Sequence, residues 1–168
     1  MARIEELDVT QLERLKAVRV RALADAPDAF GATLADTLEQ DDAWWEGTFA
    51  RGSWWVAVDE RGDDVGLVAG AFRSDVLGRE GEVPWVFSMW VAPQHRGTGL
   101  ASALLDAVVA WAARRGAEVV GLDVTDRMPR ARRFYLRYGF TPTGVTEPLR
   151  RDPSITLEEM SLPLPLTR

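Results

Sequence analysis

Apolar positions along the chain follow two rhythms, and the clearest passage from one to the other lies between residues 86 and 116. Val86 to Val91 reads as the end of a buried strand. Ala92-Pro93 closes it, because proline offers no N–H to a sheet and biases its predecessor away from helix. A short turn follows, Arg96-Gly97-Thr98-Gly99, and then a helix that carries Leu100, Ala101, Leu104, Leu105, Val108, Val109 and Ala112 on one 3.6-residue stripe. Arg114 and Arg115 suit its last turn and Gly116 its C′ position. Strand, glycine turn and helix together make an anion site. The glycines admit close backbone approach, the first helical N–H groups have no partner, and the helix dipole favours negative charge there.

Elements on either side can be read the same way. Arg3 to Leu7 is a short first strand, and Asp8 or Thr10 can cap a helix from Gln11 to Ala24 with Leu12, Leu15, Val18 and Ala22 inward. Ala26-Pro27-Asp28 ends it, and a second helical stretch runs from about Leu34 to Phe49. Ser53–Asp59 and Val65–Arg73 form a hairpin across the turn Glu60-Arg61-Gly62-Asp63, and a polar loop covers Leu77 to Glu82. Ala117 to Val124 must return parallel to Val86–Val91, because the helix between them is a crossover. Pro129 opens a helix over Arg130–Tyr138 that Gly139 stops. Phe140–Val145 and Ile155–Leu162 close the chain as a hairpin with a long polar connection. No repeat or linker interrupts this order, so residues 1–168 are expected to form one mixed α/β domain.

Composition excludes more than it selects. With no cysteine, the chain can form neither disulfides nor thiolate metal sites, and its single histidine, His95, argues against a histidine-rich metal site or a Ser-His-Asp triad. A net charge of −6 argues against nucleic acid as the main partner. No apolar run reaches the roughly 18 residues of a membrane span, and the first ten residues lack a signal-peptide core. A cytoplasmic protein without a membrane partner is expected.

Two stretches carry a family resemblance. Arg96-Gly97-Thr98-Gly99-Leu100-Ala101 fits [Arg/Gln]-x-x-Gly-x-[Gly/Ala] after a strand ending in x-Val-x-Pro, and Ala131 to Phe140 fits Asn-x-x-Ala-x-x-[Leu/Phe]-Tyr-x-x-x-Gly-Phe, with Met128 where the asparagine belongs. In register around a crossover helix, they resemble the GNAT superfamily of acyl-CoA-dependent N-acetyltransferases. The resemblance implies a GNAT-like fold: a central mixed sheet of about six to seven strands with one splayed parallel pair, flanked by about four helices. It also implies acetyl-CoA as co-substrate, no metal, and an amine-bearing small molecule or peptide as acceptor, with a homodimer as an option. Backbone N–H groups of Arg96, Gly97, Thr98, Gly99, Leu100 and Ala101 would hold the pyrophosphate. The backbone of Met89, Trp90 and Val91 would pair with the pantetheine arm, and Met128 would stand at a further CoA contact. Tyr135 would touch CoA and act as general acid toward the leaving sulfur, a role that suits an ordinary pKa of ~10.

The general base is open between two carboxylates. Asp123 falls where some relatives carry a glutamate, and Glu82 lies near the central strand. For the acceptor, the stretch Asp36 to Trp45 holds Asp36, Glu39, Asp41, Asp42, Trp44 and Trp45 with no basic residue. If it borders the acceptor slot as the resemblance implies, it predicts a cationic amine: a polyamine, an amine antibiotic, or a peptide or protein amine. Two other functions compete. A non-catalytic acyl-CoA-binding module would keep the fold and lose the chemistry. A nucleotide-binding protein is disfavoured, because no Lys-Ser/Thr follows the glycines and no full G-x-G-x-x-G is present.

Overall fold

The computed structural model describes residues 2–165. Seven strands form one mixed sheet: β1 (Arg3–Glu6), β2 (Gly52–Val58), β3 (Asp64–Ser74), β4 (Glu82–Val91), β5 (Val119–Thr125), β6 (Thr141–Leu149) and β7 (Asp152–Pro163), in the order β1-β2-β3-β4-β5-β7-β6. Five α-helices flank it: α1 (Leu12–Asp25), α2 (Leu34–Leu38), α3 (Asp42–Ala50), α4 (Leu100–Arg114) and α5 (Pro129–Tyr138). The chain before α1 is fixed by a capping box in which Asp8 accepts from the Thr10 N–H while Gln11 accepts from the Asp8 N–H. Helix α4 buries Leu100, Leu104, Leu105, Val108, Trp111 and Ala112; of the expected stripe Ala101 and Val109 are half-buried, and Trp111 is added. No helix among the described residues is long and apolar enough to cross a membrane.

Three elements depart from the pattern-based expectation. The stretch Leu34–Phe49 is two helices, because Asp41 starts a new one by accepting from the Trp44 N–H at 2.9 Å. The expected long polar connection near the C-terminus is itself strand: β6 and β7 continue to a tight turn at Arg150-Arg151. Strand β6 is polar because it is the sheet edge, exposed along its length except at Leu149, and it carries the edge-compatible Pro142 and Pro148. Strand β4 also takes in Glu82, expected to close the preceding polar loop.

The parallel pairing of β4 with β5 is confined to Trp85↔Gly121 and Val86↔Leu122, after which the strands part. On its other side, β4 bulges against β3. Leu67 pairs with Trp90 and Ala69 with Phe87, so Ser88 and Met89 together oppose Val68. Ser88 has φ +54, a left-handed conformation that costs a serine on the order of 1–3 kcal/mol. At the fork, the fully buried Trp85 ring lies over Gly121, where an added Cβ would stand 2.1 Å from a ring carbon.

That contact yields a stability prediction. Trp85 is fully buried and its ring overlaps the space a Cβ would need, so Gly121→Ala should destabilise the protein by about 3 kcal/mol, the upper part of the overpacking range. A lower urea midpoint with unchanged m-value checks it.

Candidate functional site

The fork opens two cavities that meet at its mouth. The first, of about 510 Å³, lies between the end of β4, the 96–99 turn and α5. Met89, Trp90 and Val91 wall it from the strand; Arg96, Gly97, Gly99, Ala101 and Ser102 from the turn and α4; Met128, Arg130, Ala131, Phe134, Tyr135 and Arg137 from α5 and its approach. The second, of about 360 Å³, lies on the other side of the fork and takes in Arg19, Phe30, Trp85, Phe87, Ser88, Leu122, Asp123 and Leu157. Met89, Met128, Ala131 and Tyr135 border both.

Local geometry makes the first cavity an anion receptor. Gly97 and Gly99 have φ +75 and +87, which only glycine adopts without strain, and Gly99 is the N-cap of α4 with no side-chain cap bond. No acidic residue stands in the first turn of the helix, so its leading N–H groups and dipole face the cavity uncompensated. Arg96, Arg130 and Arg137 are among the lining residues, and no carboxylate is. An acidic chain thus concentrates positive charge at this opening. The run of arginines on α5 was the sequence signal for Arg130 and Arg137, and pattern analysis passed over it.

Arg96 is held in place. Its Nη2 meets Asp25 Oδ2 at 2.6 Å and its Nε donates to the Val91 carbonyl at 3.0 Å. The Trp90 indole N–H donates to the same Asp25 oxygen at 2.9 Å, so the end of α1 clamps both β4 and the glycine turn. Thr98 and Leu100, expected at the cofactor, do not line this cavity. The Thr98 hydroxyl bonds to the His95 carbonyl, and Leu100 is buried. Both border a larger cleft of about 1090 Å³ on the far side of the turn. Asp59, Glu60, Asp63 and Asp64 line that cleft, which sets it against a polyanion. Only the backbone amides of Thr98 and Leu100 can serve the first cavity.

Tyr135 sits where the cavities join. Its side chain is 7% exposed, and burial raises its pKa above the ordinary phenol value, so it is protonated at neutral pH. Its hydroxyl makes no hydrogen bond among the described residues. Asp123 lies in the second cavity. Its Oδ2 accepts from Arg73 Nη1 at 2.5 Å and from the Trp85 indole at 3.2 Å, leaving Oδ1 without a bond among the described residues. Burial raises its pKa, and the Arg73 charge and Trp85 bond offset part of that rise. Glu82, the other candidate base, is exposed at the start of β4 and lines neither cavity.

The acidic stretch 36–45 does not border the second cavity: none of Asp36, Glu39, Asp41, Asp42, Trp44 or Trp45 lines it. Asp41 caps α3, Asp42 pairs with Lys16 at 2.7 Å, and Trp45 is core. The cation at that wall is Arg19, contributed by α1.

Comparison with known proteins agrees with this geometry. A profile of the acetyltransferase (GNAT) family matches residues 19–140. Mycothiol acetyltransferase of Thermobispora bispora is 32% identical over 135 residues, 80% of this chain and 44% of that protein; the chain therefore spans less than half of that relative. The crystal structure of nourseothricin acetyltransferase superposes with a TM-score of 0.60 at 30% identity, covering 68% of this chain and 66% of that one. Arabidopsis thaliana NAA60 in complex with acetyl-CoA shares the fold, with a TM-score of 0.70 at 17% identity over 98% of this chain and 99% of that one.

Proposed function

The chain belongs to the acetyltransferase (GNAT) family, and from that premise we propose that it transfers an acetyl group from acetyl-CoA directly to the primary amine of a small molecule or peptide. The observation that carries this reading is Tyr135: an unbonded, protonated hydroxyl at the junction of a cavity suited to an anion and a second, smaller one.

The CoA phosphates suit the first cavity. The N–H groups at the start of α4 supply donors, and Arg96, Arg130 and Arg137 supply charge. The pantetheine arm fits the edge of β4 that β5 has left, where Met89 to Val91 have no strand partner on that side and Arg96 Nε already donates to the Val91 carbonyl. Met128 in place of asparagine offers the arm an apolar contact, and the backbone cradle does not depend on it.

In the second cavity Asp123 takes a proton from the acceptor ammonium through its unbonded Oδ1. The freed lone pair attacks the thioester carbonyl, and the carbon–sulfur bond then breaks. Tyr135 donates a hydrogen bond to the sulfur as charge develops there, and the proton that the new amide sheds balances the one that the thiol takes up. With no cysteine present, no acyl-cysteine intermediate can form. The test is thiol release from acetyl-CoA with and without a panel of amines. Binding of CoA with no amine-dependent release would leave a binding module in place of an enzyme.

Three outcomes are expected. Gly99→Glu puts a bulky anion at the phosphate site in a left-handed backbone position and should abolish CoA binding in calorimetry. Tyr135→Phe should leave CoA affinity nearly unchanged and lower kcat on the order of 10²-fold. The third concerns pH. Asp123 must be deprotonated to act, and its raised pKa places the rising limb of kcat/KM above the ordinary ~3.9 of aspartate. This limb should keep its position across acceptors of different amine pKa and vanish in Asp123→Asn.

A further inference from the structure

Several arginines around the sheet are ion-paired: Arg14 with Asp64 and Glu5, Arg73 with Asp123, Arg96 with Asp25 and Arg132 with Glu158. Arg19 is different. It lines the second cavity, yet among the described residues it forms no ion pair and donates no hydrogen bond, and its Nε is buried without a partner. The indoles of Trp44 and Trp54 hold the guanidinium in place, at 5.8 and 5.6 Å from their ring centroids. The charged neighbour that acts on it is a second cation, Arg51, which repels it. A partly buried guanidinium with a buried, unpartnered Nε and no anion beside it among the described residues is costly, and an incoming anion relieves that cost.

We propose that Arg19 binds a carboxylate on the amine acceptor, so that the substrate is a small, apolar, amino-acid-like molecule. This rests on the acetyl-transfer reading and specifies its acceptor. The same cavity offers Tyr135 and Asp123 to the amine, Arg19 to the carboxylate, and Phe30, Phe87, Leu122 and Leu157 to an apolar side chain. Its volume of about 360 Å³ lies at the small end of ligand cavities, roughly 300–1,000 Å³, as a free amino acid requires. Planar, permanently charged guanidinium suits a carboxylate in two-point contact.

Matched probes test it: L-phenylalanine against phenethylamine, and L-methionine against 3-(methylthio)propylamine. Each is assayed for acetylation and, by calorimetry, for binding to the CoA-loaded protein. The wild type should favour the carboxylated member of each pair by more than about tenfold in kcat/KM, as one charge-assisted contact allows. Arg19→Gln should collapse that ratio toward one, mainly by raising KM for the amino acids, and Arg19→Lys should recover part of it. A wild type that binds and acetylates the decarboxylated amines as well or better overturns the proposal. So does an Arg19→Gln variant that loses both members equally, or a wild type that takes up neither amino acid. Arg19-dependent binding of L-phenylalanine or L-methionine without thiol release would retain the carboxylate site and reject acetyl transfer.

Discussion

The structure depends on a fork. Strands β4 and β5 are hydrogen-bonded neighbours for only two residue pairs, and the divergence after Val86↔Leu122 creates the space that both cavities share. Two local features hold it. Trp85 packs on Gly121, so close that no side chain fits there, which fixes where pairing ends. Beyond it, the bulge at Ser88 and Met89 turns the β4 backbone from its partner at the cost of a left-handed serine. Of the three non-glycine residues with positive φ among the described residues, Asp75, Leu77 and Ser88, only Ser88 lies at the candidate site, where an unpaired strand edge is needed.

Charge is distributed to match. The chain is acidic overall, yet the cavity beneath α4 is lined by arginines and by no carboxylate, because the acidic side chains nearest to it are engaged elsewhere. Asp25 illustrates this. It accepts from both Trp90 and Arg96, so that its charge fixes the turn. Asp123 likewise binds Arg73 and Trp85 through one oxygen, which ties the candidate base to the same tryptophan that sets the fork. Positioning of the strand edge and tuning of the carboxylate therefore share one side chain.

Much of this was legible in the amino-acid order. The glycine turn, the apolar stripe of α4 and the crossover to β5 follow from local conformational rules, since positive φ, a 3.6-residue period and a parallel return each leave a mark on neighbouring residues. Tyr135 and Asp123 could be named because the resemblance to the acetyltransferase motifs implied them. Strand β6 escaped recognition because an edge strand exposed on nearly its whole length has the composition of a loop, and the split between α2 and α3 because Asp41 reads as one acid among several until its bond to Trp44 shows it to be a cap.

What the sequence determined by itself was therefore the fold class, the anion-binding turn and the family of chemistry, all encoded in residues close together along the chain. Which side chains share a cavity was decided only by tertiary packing. Arg19 lies on α1, more than a hundred residues before Tyr135, and nothing in its neighbourhood sets it apart from Arg14 or Arg21. Its significance comes from having no carboxylate partner among the described residues and from two tryptophans that hold it at the cavity wall. The acidic stretch 36–45 does not line that wall either, and two of its four carboxylates, Asp41 and Asp42, serve as a helix cap and an ion pair with Lys16, contacts that composition cannot reveal.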